Sequence, residues 1–230
     1  MKRIWLFIIG FALIIVIAGA AQFLFQRRAV APQLDITEPP IAENNATTSD
    51  SVNIPAANPN NSQQKLSSIA KGDNIISWNF KGAYTDRPDL VTKAEAEIKR
   101  LSGLIGTGTY SNTILYIGIA NQYDLLGDGK HEYEYLSYAI EADKGTTGLP
   151  WHNLGVLMER LGALQTARTA YEKATLIQPE LKQWHYAYFS FLTARMANNT
   201  TDIEKEFAAA NKSIGQDPEI LQLYSEWKNS

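Results

Sequence analysis

Residues 151–179 read WHNLGVLMERLGALQTARTAYEKATLIQP, and the rest of the chain is read outward from them. Trp151, Leu154 and Met158 fall at i, i+3 and i+7, the apolar stripe of one helix face. Leu161-Gly162 breaks that rhythm, and Ala167, Tyr171 and Ala174 restart it. Pro179 closes the second run, because a proline lacks the amide hydrogen and its ring clashes with the preceding turn. The stretch therefore predicts two amphipathic helices joined by a glycine turn. Gly155 and Ala167 are small where the helices would cross, so their backbones can approach closely.

Such a pair keeps one apolar flank wet until a neighbour covers it. Neighbours occur at the required offset. Thirty-five residues earlier, Tyr116-x-x-Ile119-Ala120-x-x-Tyr123 replaces the opening motif, Gly127 aligns with Gly162, and Ala139 with Ala174. Glu132 there stands where a small residue is expected. Later, Trp184–Leu192 predicts an aromatic helix and Ile203–Ile214 its partner. The interval from Pro179 to Pro218 is 39 residues, so extra residues fall in the Asn198–Thr201 turn. A last helix starts at Asp217-Pro218, with Ile220, Leu223, Tyr224 and Trp227 on one face.

Taken together, Trp151-x-x-Leu154-Gly155-x-x-Met158, then Ala167, Tyr171, Ala174 and Pro179, resembles the tetratricopeptide repeat (TPR), a pattern of about 34 residues. Met158 stands where the family usually has Tyr, and Tyr171 where it has Phe. The resemblance covers residues 113–220, or 88–229 with the flanking helices. It implies an all-α fold, a TPR-like helical solenoid of about three repeats (113–147, 148–181 and 182–220) with a C-terminal capping helix. It also implies a function without chemistry: the first helix of each pair lines a concave wall that binds an extended peptide or helix of a partner protein. Carried over position by position, that wall holds Asn121, Asp124, His152, Asn153, Val156, Glu159, Arg160, Gln183, Tyr186 and Ser190. One TPR subclass clamps a C-terminal carboxylate between cations and two Asn. Asn121 and Asn153 match its amides, but its basic positions are Ile117, Gln183 and Ala187 here. A carboxylate buried without cations is too costly, so that subclass is excluded.

Upstream of the helices the composition changes twice. Ile4 to Phe25 is a run of 22 residues without a charge, flanked by Lys2-Arg3 and Arg27-Arg28. At full helical rise it reaches about 33 Å, enough for a hydrocarbon core of about 30 Å. Residues 1–28 therefore read as a transmembrane signal-anchor, with 4–25 in the membrane. Ala18-Gly19-Ala20 offers the alternative of a cleaved secretory signal. The slight excess of positive charge on the amino side predicts a single-pass protein whose C-terminal part is extracytoplasmic. Residues 29–72, rich in Pro, Asn, Ser and Thr and free of aromatics, predict a disordered tether. The folded part is expected over 73–230.

Asp73–Tyr84 alone has period-two apolar spacing, at Ile76, Trp78 and Phe80, and predicts an extended arm packed on the first helices. From Asp86, as cap, a helix follows with Leu90, Ala94, Ile98, Leu101 and Ile105 on one face, broken by Gly103, Gly106 and Gly108.

Composition excludes other classes. The chain has 230 residues, no Cys and a net charge of −3, which leaves no thiolate chemistry and no basic surface for nucleic acid. Asp124-Leu-Leu-Gly-Asp128-Gly129 lacks the third and twelfth ligands of a calcium loop and reads as a helix–helix turn. Of His131, His152 and His185, the last two lie near equivalent places in successive repeats, but a zinc site wants a third ligand and acid support, and no triad, phosphate loop or nucleophile elbow occurs. The chain is expected to be a non-enzyme without cofactor or metal. It would act as a membrane-tethered adaptor for a protein partner or, alternatively, as an accessory subunit of a larger envelope complex.

Overall fold

The computed structural model describes residues 68–230. The expected membrane span at 4–25 and residues 29–67 of the expected tether lie outside the described residues. Among those described, no helix is long and apolar enough to cross a membrane.

Eight helices follow one another, and no strand occurs among the described residues. They are α1 (Pro88–Leu104), α2 (Asn112–Leu126), α3 (Gly129–Asp143), α4 (Leu149–Arg160), α5 (Leu164–Ile177), α6 (Lys182–Arg195), α7 (Thr200–Ile214) and α8 (Pro218–Lys228). Each helix from α1 to α7 packs on its chain neighbour, and α8 turns back onto α6. Side-chain caps set half of the starts. Ser111 caps α2, Asp128 caps α3, Asn199 caps α7, and Asp217 caps α8 by accepting from the Glu219 and Ile220 amides. Gly127 and Gly162 end α2 and α4 in the left-handed region, at φ +80° and +78°, where a side chain would be strained.

The decisive pair is α4–α5. A Cβ built on Gly155 would lie 2.8–2.9 Å from three ring carbons of Tyr171, so only glycine lets that ring sit against the α4 backbone. Leu154, Leu157, Met158, Ala167, Ala170, Tyr171 and Ala174 are all buried around this contact. The Tyr171 hydroxyl donates to Glu159 Oε2 at 3.1 Å, and its ring reaches Phe191 of α6 at 5.1 Å. The next joint is polar. Gln178 Oε1, at the end of α5, accepts from the Gly148 amide (2.8 Å), the Thr147 hydroxyl (3.1 Å) and the Trp184 indole (3.3 Å), tying α4, α5 and α6 together. At the far end Phe207 of α7 and Tyr224 of α8 stack at 3.8 Å, while Ile220 is buried.

Several expectations are corrected. Arg87, not Asp86, occupies the cap of α1 and makes no side-chain bond; Asp86 instead pairs with Lys81 at 2.5 Å. Gly103 lies inside α1, and the chain reverses only around Gly106 and Gly108. The arm extends past the first helices. It crosses the α2–α3 turn and reaches α5, with Ile75, Trp78 and Phe80 inward on the core and Ile76 93% exposed. Among the described residues its contacts begin before residue 73: Ile69 joins the core, and the Ala70 amide donates to Thr166 Oγ1 at 2.8 Å.

The arm is seated backbone to backbone. Phe80 N donates to Gly127 O (3.0 Å), Tyr84 N to Leu125 O (2.9 Å) and Gly129 N to Trp78 O (2.9 Å). Gly82 and Gly127 face each other so closely that a Cβ on either would overlap main-chain atoms. The other end completes α5. Ala163, at its cap position, has no side-chain acceptor, so Asp73 supplies one from 93 residues away. Its carboxylate accepts from Thr166 N (2.7 Å), Thr166 Oγ1 (2.7 Å) and Gln165 N (3.1 Å). Asp73→Ala leaves those donors open at a buried Thr166, so denaturant unfolding of the full chain should register a loss of about 2 kcal/mol. Asp73→Asn should recover part of it.

Candidate functional site

The residues assigned to the wall lie on α2, α4 and α6, the first helices of successive pairs. Polar contacts join two of these helices directly. Asn153 Nδ2 of α4 donates to Asn121 Oδ1 of α2 at 3.4 Å, and Arg160, the last residue of α4, pairs with Asp124 near the end of α2. Glu159 links onward, accepting from Tyr171 and standing 3.8 Å from Nε of Arg195, the last residue of α6. Val156, Glu159, Arg160 and Arg195 line one shallow depression at this end. Val156 is exposed there, an apolar side chain among three charged ones.

Gln183, Tyr186 and Ser190 continue the surface along α6. Gln183 is exposed, Ser190 is partly covered, and Tyr186 is half-buried against the core. No side-chain hydrogen bond joins these three to α4 among the described residues.

His152 departs from the expectation. Its ring packs on Trp184 at 4.8 Å and Tyr171 at 5.7 Å, and Nδ1 is buried without a hydrogen-bond partner. It fills the joint between α4, α5 and α6 rather than offering a polar group to the wall. Burial pushes its pKa down to about 4. The other histidines are also engaged. His131 pairs with Asp128 at 2.6 Å, while His185 is held between Glu206 Oε1 (2.6 Å) and Pro179 O (2.8 Å). With an acceptor at each ring nitrogen, the His185–Glu206 pair retains a proton, and the His185 pKa is raised by Glu206 despite burial. Asp128, in the stretch with a partial calcium-loop pattern, caps α3.

Two residues escape the sequence reading. Arg195 was outside the carried-over positions, although it ends α6 as Arg160 ends α4, each beside its helix's carbonyl terminus. Phe80 belongs to the arm, yet its ring lies 4.4 Å from the Arg160 guanidinium carbon and holds that side chain in place. Nothing local to residue 80 announces a partner 80 positions later.

Comparison of the chain with protein-family models, with curated proteins and with solved structures gave no match.

Titration of His152 has a definite sign. The folded ring gains its proton near pH 4 and the unfolded chain near its ordinary 6.5, so between them the unfolded state binds more protons. Stability is fully present above 6.5 and is lost as pH falls through that window, by up to about 3 kcal/mol. Denaturant unfolding of the full chain at both ends of the window should show that His152→Phe removes this increment.

Proposed function

We propose that the chain is a membrane-tethered adaptor: a TPR-type solenoid of about three repeats that presents the α2–α4–α6 wall to a partner polypeptide. The anchor is residues 4–25, the tether follows it, and the helical part lies outside the cytoplasm. The observation that carries this reading is the continuity of the wall. Asn121 with Asn153, Asp124 with Arg160, and Glu159 with Arg195 link three first helices into one polar surface with an apolar spot at Val156. Amides and half-used charges suit the backbone of an extended peptide, and Val156 with Tyr186 offers anchor points for its side chains.

The packing at Gly155 and the paired left-handed glycines at 127 and 162 support the repeat register on which the wall assignment rests. The accessory-subunit alternative calls for a contiguous apolar patch. The exposed large apolar side chains among the described residues instead come from five different elements, Ile76 on the arm, Ile114 on α2, Val156 on α4, Leu176 on α5 and Leu221 on α8.

Photo-crosslinking tests the reading. A photoreactive residue at Val156, Gln183 or Ser190 of the full chain, in its native membrane, should trap a discrete protein partner. The same residue at Leu176, which is exposed on α5, should not. Asn153→Ala with Tyr186→Ala should weaken the trapping from Val156. Crosslinks confined to Leu176 would contradict the proposal.

A further inference from the structure

The arm is anchored by its neighbours across the turn, and one of those neighbours is shared with a buried acid. Glu132, in the first turn of α3, is only 5% exposed, and its Oε2 has no hydrogen-bond partner. It occupies the position that Ala167 fills in the next pair. The charged groups around it are Asp124 from α2, Asp128 from the turn and Arg160 from α4. His131, on its own helix, is paired with Asp128. Of the arm's own charges, Asp73 is held at α5, Lys81 pairs with Asp86, and Lys71 is exposed. What the arm brings to this region is aromatic: Trp78 against Tyr133 at 5.2 Å, and Phe80 beneath Arg160.

We propose that residues 69–84 form a clasp controlled by the Glu132 carboxyl, seated while that carboxyl is neutral and released from Arg160 when it ionises. A buried carboxyl with an open oxygen is tolerated only without charge. Once charged, it needs a cation, and the nearby cation is Arg160, which stacks on Phe80 and which Glu132 would share with Asp124. Drawing the guanidinium toward Glu132 strips Phe80 of its cation contact and leaves the Trp78–Phe80 end of the arm held by three main-chain bonds and the Trp78–Tyr133 contact. Asp73 still holds the other end at α5, so the clasp opens at one end.

The direction with pH follows from proton counting. Burial and Asp124 raise the Glu132 pKa well above the ordinary carboxylate range, while Arg160 works against them. The seated state therefore keeps a proton that the open state releases, so closure is favoured at low pH and lost as pH rises.

The chain contains no cysteine, so two can be introduced cleanly. Spin labels on Ile76→Cys and Lys130→Cys, both exposed sites, report the distance between arm and α3 in the full chain. From about pH 5 to about pH 9, a single short distance should give way to a longer, broader population that grows about tenfold or more. E132Q should hold the short distance throughout. Should that amide variant misfold, E132A, which installs the small residue found at position 167, serves the same purpose. An unchanged distance in the wild type, a long distance already at low pH, or the same rise in E132Q and E132A would each overturn the proposal.

Discussion

The contact of the Tyr171 ring with the bare backbone of Gly155 is the constraint on which the described structure turns. It sets how closely α4 and α5 approach, and it leaves the Tyr171 hydroxyl in reach of Glu159. The same ring carries the interaction onward, to Phe191 at 5.1 Å and Tyr188 at 6.5 Å on α6. One side chain therefore joins the interior of a helix pair, its surface carboxylate and the next helix. A buried aromatic of this size removes a large apolar area from water, and its polar tip is satisfied only because Glu159 stands one turn beyond Gly155. The position of Glu159 then decides where Arg195 finds a counter-charge. Core packing and the Glu159–Arg195 pairing are one arrangement.

A second dependence runs through the arm. Helix α5 lacks a cap of its own at Ala163, and α2 and α3 meet at glycines that expose their main chain. Both gaps are filled by the same extended segment, which caps one helix with Asp73 and bonds the turn of the other pair with its backbone. The segment that links the helices to the anchor expected near the amino terminus is thereby also a structural part of the helical region. Phe80 under Arg160 carries this dependence to the wall, so the arm's seat and the geometry of the proposed binding surface are coupled.

Local spacing made much of this legible. The helices after residue 110 follow from apolar periodicity, and Gly127 and Gly162 at equal offset mark turns that need a left-handed residue. What stayed hidden is what depends on contacts distant in sequence. Asp73 looks like a surface residue until α5 is placed beside it, and period-two spacing points to Ile76 where the seat takes Ile75. His152 sits at a position the repeat pattern assigns to the wall. Only the bulk of Trp184 and Tyr171 around it reveals a packing role. Glu132 breaks the small-residue rule, and its open oxygen and shared cation become visible only in three dimensions.

The most direct test of the central contact is a double-mutant cycle between Gly155→Ala and Tyr171→Leu, read by denaturant unfolding of the full chain. Gly155→Ala alone should cost about 1–3 kcal/mol by overpacking against the ring. In the Tyr171→Leu background, where the flexible smaller side chain can yield, most of that cost should vanish, giving a coupling of about 1 kcal/mol or more. Strict additivity of the two substitutions would mean that the ring does not rest on that backbone and would contradict the packing described here.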